Sequence, residues 1–163
     1  MKARFVIVMG VAGSGKTTVG ELLAQRLGWS FYDADAFHPA ENIAKMANGT
    51  PLDDSDRAPW LAALQALIST SLKENRPAVL ACSALKESYR QWLLEENEGV
   101  QFVYLKGSYD IIWSRISQRK DHYMKPEMLQ SQFEALEEPA NASTIDVSLS
   151  VEDIVEGVLK YLK

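Results

Sequence analysis

The stretch Phe5-Val6-Ile7-Val8-Met9-Gly10-Val11-Ala12-Gly13-Ser14-Gly15-Lys16-Thr17-Thr18 decides the fold of this chain. Its opening run is apolar without alternation, the pattern of a strand buried on both faces. Gly10 to Thr17 then match G-x-x-x-x-G-K-[ST], a phosphate-binding loop. The glycines let the backbone curl so that successive N–H groups point inward at phosphate oxygens. The helix that follows aims its positive N-terminus at the same point. Lys16 can reach the β- and γ-phosphates of ATP, and the Thr17 hydroxyl can ligate Mg²⁺. A glycine-rich strand-to-helix turn without nucleotide is the bland alternative, but a strand before and a helix after are the context the motif requires. Gly10, Val11, Ala12, Gly13, Ser14, Gly15, Lys16, Thr17 and Thr18 are therefore the expected nucleotide-binding residues, with Lys16 also catalytic.

Outward from the loop, apolar β-rich runs alternate with helical patterns. This predicts an α/β fold, a doubly wound parallel sheet with helices on both faces. Residues 16–27 place Val19, Leu22, Leu23 and Leu27 on one helical face, and Gly28 stands where a helix C-terminal glycine belongs. Further strands are expected at residues 30–32, 78–82, 100–105 and 143–149. Helices are expected near Pro39 and over residues 57–74, 85–94 and 109–118, from Pro126, and over the patterned C-terminal segment from Val151 to Leu162. No repeat, low-complexity tract or linker interrupts the sequence, so residues 1–163 read as one domain.

Composition narrows the partners. The net charge is −5 over 163 residues, with a pI near 5.1, and nucleic-acid binders carry the opposite excess. No apolar run approaches the roughly 20 residues of a membrane span. The Phe5–Met9 run is shorter than a signal-peptide core. Cys82 is the one cysteine, which excludes an intramolecular disulfide and agrees with a cytoplasmic location. It reads as a small buried residue and not as a nucleophile.

A phosphate loop alone does not separate kinases from other nucleotide hydrolases. The guanine-reading N-K-x-D motif is absent, as is an Asp-x-x-Gly switch. After the second strand comes Asp33-Ala34-Asp35-Ala36-Phe37-His38-Pro39, at a strand carboxyl end, where open α/β sheets bind ligands. Asp33 can help hold the Mg²⁺ shell, and Asp35 can accept the proton of an attacking hydroxyl. Either carboxylate can instead cap the helix near Pro39.

These blocks resemble the gluconate kinase family over nearly the whole length. The resemblance rests on the phosphate loop, Asp33-x-Asp35-x-x-His38-Pro39 and Asn42-Ile43-x-Lys45-Met46. It continues in Gly49-x-Pro51-Leu52-x-Asp54-x-Asp56-Arg57-x-Pro59-Trp60 and Cys82-Ser83-Ala84-Leu85-Lys86-x-x-Tyr89-Arg90. Towards the C-terminus come Leu105-Lys106-Gly107, Arg115-x-x-x-Arg119-x-x-His122 and Ser131-Gln132-Phe133-Glu134-x-Leu136-Glu137-x-Pro139. Ala12 departs from the serine that relatives often carry. The resemblance implies phosphorylation of D-gluconate to 6-phosphogluconate by ATP with Mg²⁺, and a homodimer. It also implies five parallel strands in the order 2-3-1-4-5, a P-loop fold of the nucleoside-monophosphate and shikimate kinase type with a small lid.

A hydroxylated carboxylate needs a bidentate cation and hydrogen-bonding groups. Arg57, 22 residues after Asp35 at the expected start of a long helix, is a candidate. Shikimate kinases place a substrate-carboxylate arginine at a similar distance after their aspartate. Arg57 can equally pair with Asp53, Asp54 or Asp56 in a solvated network. Ser83 and Lys86, beyond the third strand, and Arg90, one turn on, are further acceptor candidates, with Asp35 and His38. Arg115 and Arg119 share a helix face and lead into a charged segment, residues 119–126, that looks like a lid. Closing arginines can stabilise transferring phosphoryl oxygens, which makes Arg115 and Arg119 nucleotide-binding candidates and Arg119 catalytic. Alternatively they are basic residues favoured by the helix dipole. His122 is a weaker candidate.

Overall fold

The computed structural model describes residues 3–95, 97–118 and 126–162. Strand β1 (Phe5–Met9) is inaccessible to solvent at every position. Its side chains alternate between two cores, as pleating requires. Val6 and Val8 pack with the first helix, α1 (Lys16–Leu27), and with Val103, Leu105 and Ile154. Phe5, Ile7 and Met9 face the opposite way, against Trp60, Leu64 and Leu93. Each face meets its own helical layer, which explains why the sequence of β1 shows no polar alternation.

The remaining strands are β2 (Ser30–Asp33), β3 (Ala78–Ala81), β4 (Val100–Lys106) and β5 (Ser143–Asp146). All pairings are parallel, in the order β2-β3-β1-β4-β5. That is the order the resemblance implied. The helices after α1 are α2 (Ala40–Ala47), α3 (Asp54–Lys73), α4 (Glu87–Leu94), α5 (Tyr109–Ser117), α6 (Pro126–Ala135) and α7 (Val151–Leu162). A parallel sheet gathers its strand carboxyl ends on one edge. Met9, Asp33 and Ala81 therefore deliver their following loops to a common cleft.

Several boundaries differ from the sequence expectation, each for a local reason. Helix α3 begins at Asp54, so Arg57 lies one turn inside it. The Asp53 side chain accepts from the Asp56 N–H at 2.7 Å, and the Asp56 side chain accepts from the Asp53 N–H at 3.0 Å. This reciprocal cap uses Asp where Glu or Gln is usual, and the apolar stripe does not start until Trp60. Helix α4 begins at Glu87 because Ala84 takes a φ of +44°. Strand β5 stops at Asp146, whose carboxylate captures the Ser148 N–H at 2.8 Å and turns the chain.

Replacing Asp53 by Ala removes one half of the α3 cap. Thermal unfolding should show a loss of about 1 kcal/mol, and Asp53→Asn, which keeps an accepting oxygen, should retain most of the stability.

Candidate active site

Two glycines shape the phosphate loop. Gly15 is the N-cap of α1 with φ +97°, and nothing lies within 4 Å of where its Cβ would be. The left-handed turn starts the helix directly beneath an open approach for phosphate. Gly13 has φ +80°, and a Cβ there would sit 2.5 Å from Ile116 Cγ1, so both backbone and packing demand glycine. The Lys16 ammonium donates to the Val11 carbonyl at 3.1 Å, which holds it against the loop.

Beside the loop opens a cleft of about 520 Å³, lined also by Thr17, Asp33, Asp35, Ser83 and Gln132. Thr17 Oγ1 donates to Asp33 Oδ2 at 3.3 Å, while Asp33 Oδ1 accepts from the Asp35 N–H at 2.9 Å. Asp33 thus caps the short 3₁₀ turn Ala34–Phe37 with one oxygen and meets the phosphate-loop hydroxyl with the other. Asp35 is exposed in the same cleft. Cys82 is buried at its floor, where desolvation pushes its thiol up to about 12, so it stays protonated and inert.

Near the start of α3, Arg57 Nη1 donates to the Tyr89 hydroxyl at 3.0 Å, and that hydroxyl donates to Asp54 Oδ1 at 2.5 Å. Lys86 reaches the same carboxylate oxygen at 3.5 Å. Arg57 and Lys86 lie 5.6 and 5.5 Å from the Tyr89 ring centroid. The Tyr89 hydrogen bond, followed by the charge of Lys86, lowers the Asp54 pKa. Two half-buried cations therefore converge on one tyrosine, whose hydroxyl holds the largely exposed Asp54 carboxylate. Burial lowers the His38 pKa, against the raising charge of Asp35.

A family model described as shikimate kinase matches residues 12–163. A probable gluconokinase of Mus musculus is 46% identical, with 97% of each chain covered. The thermoresistant gluconokinase of Escherichia coli K12 is 42% identical over 96% of this chain and 92% of its own. A crystal structure of a gluconokinase from Sinorhizobium meliloti 1021 superposes with a TM-score of 0.88 at 43% identity, covering 96% of this chain and 90% of that one. The chain belongs to the gluconokinase family.

Within that family frame, the structure brings Ala12, Gly13, Gly15, Lys16, Thr17, Thr18, Asp33, Asp35 and Ser83 together around one cleft, and it gathers Arg57 and Lys86 at Tyr89. It sets two other expected residues elsewhere. Arg90 is 3% exposed. Its Nε and Nη2 donate to Glu87 Oε2, its Nη1 to the Ala84 and Leu85 carbonyls, and its Nη2 also to the Glu137 carbonyl. All five N–H donors are thereby engaged inside the protein, and Arg90 ties the β3–α4 loop to the segment after α6. Arg115 donates to the Val147 carbonyl beyond β5 and does not line the cleft. Arg119, His122 and the expected lid, except Pro126, lie outside the described residues.

Sequence reading missed three contributors. Gln132 on α6 accepts the Ala12 N–H at 2.7 Å through Oε1, a contact between residues 120 positions apart. Tyr89 follows Lys86 by three positions, a spacing that already placed them near one face. Asn42 is 2% exposed beneath His38.

The Arg90 geometry gives an expectation opposite to that of an acceptor ligand. Arg90→Ala strands buried carbonyls and should cost roughly 2–4 kcal/mol of stability, while the KM for the acceptor stays near the wild-type value in the folded fraction. Denaturant unfolding and steady-state kinetics on the same preparation check both parts.

Proposed function

We propose that the protein is a gluconokinase, transferring the γ-phosphoryl group of ATP to the terminal hydroxyl of D-gluconate. The carrying observation is the cleft that joins the phosphate loop to Asp33 and Asp35 in a chain over 40% identical to gluconokinases, and the Arg57–Tyr89–Lys86 cluster is the cationic group that suits an acceptor carboxylate. Shikimate, also a hydroxylated carboxylate, is the rival acceptor that the matching family model favours.

In this reading the loop amides and Lys16 hold the ATP phosphates, and Arg57 and Lys86 hold the acceptor carboxylate. Asp35 takes the proton of the acceptor hydroxyl as its oxygen forms a bond to the γ-phosphorus. The bond to the β,γ-bridging oxygen breaks, and ADP leaves with that oxygen. Lys16 stabilises the charge spread over the transferring group.

The paired Thr17 hydroxyl and Asp33 carboxylate fit Mg²⁺, which is bound through one or two protein oxygens plus phosphates. When bound, the ion neutralises phosphate charge. Residues 1–163 form one catalytic domain in this reading. Arg119 and a lid near residues 119–126 serve the nucleotide, on the strength of the family resemblance. The same resemblance supports a homodimer, and it supports work in the cytoplasm together with the single buried cysteine.

ADP release measured against D-gluconate, other sugar acids, shikimate and nucleoside monophosphates tests the assignment. Preference for any acceptor but gluconate overturns it. Lys16→Met should fall more than about 10²-fold in kcat while remaining folded. Arg57→Ala should lose roughly 30- to 4,000-fold in kcat/KM for gluconate, the cost of leaving a desolvated charge unpaired. A neutral sugar alcohol of equal length should lose little further when Arg57 is removed. Independent, multiplying losses would move the carboxylate away from Arg57.

A further inference from the structure

Asn42 and His38 sit one turn apart at the start of α2, and neither has a role beyond the acceptor block so far. Asn42 Nδ2 donates to the Asp56 backbone carbonyl at 2.8 Å and lies 3.2 Å from His38 Nδ1. A carbonyl oxygen can only accept, so the Asn42 atom facing it is the nitrogen. The second hydrogen of that same nitrogen points to His38 Nδ1, which must then be an acceptor. The His38 ring stacks on Trp60 at 4.5 Å and 9°, and Trp60 is itself fixed by its indole N–H to the Ala34 carbonyl at 2.7 Å. One ring face and one ring nitrogen are thus occupied. Among the described residues, no hydrogen bond is made by the other nitrogen, Nε2.

We infer that Asn42 is a positioning residue that locks His38 as the neutral tautomer with its proton on Nε2, so that His38 meets gluconate as a hydrogen-bond donor. His38 is then excluded as a competing base, and proton removal stays with Asp35. Donation to an acceptor hydroxyl or carboxylate oxygen on the cleft side of Arg57 orients the sugar acid without any change in charge. Protonation of His38 would set two N–H groups against each other at Asn42. In agreement, burial, the largest influence, holds its pKa below the ordinary 6.5 against the opposing pull of Asp35, with a smaller lowering from Arg57. The identity of the ligand rests on the gluconokinase reading, whereas the tautomer does not.

The chain has two histidines, so His122→Gln leaves His38 as the sole imidazole for ¹⁵N nuclear magnetic resonance. The expected spectrum of the ligand-free protein at neutral pH shows a protonated, pyrrole-type Nε2 and an unprotonated, pyridine-type Nδ1. A proton on Nδ1, or averaging between tautomers, would overturn the inference. Asn42→Asp places an acceptor at Nδ1 and should protonate that nitrogen, and an unchanged pattern in the folded variant counts against the lock. Kinetics supply the functional arm. His38→Phe keeps the stacking but lacks the donor, and should raise the gluconate KM about 3- to 10-fold, one hydrogen bond's worth, with the ATP KM unchanged. His38→Gln, whose amide can donate from a similar place, should recover most of that loss. A loss in His38→Gln with none in His38→Phe would show that His38 acts only through packing. If the wild-type enzyme instead prefers another acceptor, the gluconokinase reading fails while the tautomer result still stands.

Discussion

The ladder between β1 and β3 does not stop where the strands end. The Cys82 N–H donates to the Val8 carbonyl at 3.0 Å, and the Gly10 N–H reaches back to the Ser83 carbonyl at 3.4 Å. Those two bonds join the first residue of the phosphate loop to the first residues of the β3–α4 loop. Everything that the site does depends on this splice, because the loop amides and the β3–α4 loop come from segments about seventy residues apart. The apolar alternation of β1 into two cores fixes the splice in place, since neither face can slip without exposing a buried row.

Helices α2 and α3 are held by polar contacts of a different kind. Lys45 on α2 meets both Asp56 oxygens at 2.8 and 2.9 Å, and Asp56 closes the cap of α3. The Asn42 amide reaches the backbone of the same residue. One aspartate therefore anchors two helices and the residue beneath His38. The Lys45–Asp56 pair is partly exposed, so its own contribution to stability is small. Its effect lies in fixing how α2 approaches α3, and hence the distance from His38 to Arg57.

The sequence carried what the backbone and strong local patterns encode. The phosphate loop was legible because its glycines and lysine perform their task through neighbouring backbone groups. The parallel sheet was legible because a strand buried on both faces cannot alternate. Asp33 makes two contacts in the structure: one oxygen caps a turn and the other meets Thr17.

Partner choice across the fold was not legible. Arg57, Arg90 and Arg115 look alike in sequence, each a basic residue on a helix near a strand end. Only packing separates them: Arg57 faces Tyr89, Arg90 is buried among carbonyls, and Arg115 turns to Val147. Gln132 meets Ala12 for the same reason, because a long side chain on α6 is aimed by how that helix packs. By itself the sequence determined the loop, the sheet and the chemical inventory, all set by short-range backbone preference and periodicity. The tertiary structure decided which partner each cation meets, because a guanidinium bonds to whatever carbonyls, rings and carboxylates the folded chain brings within its reach.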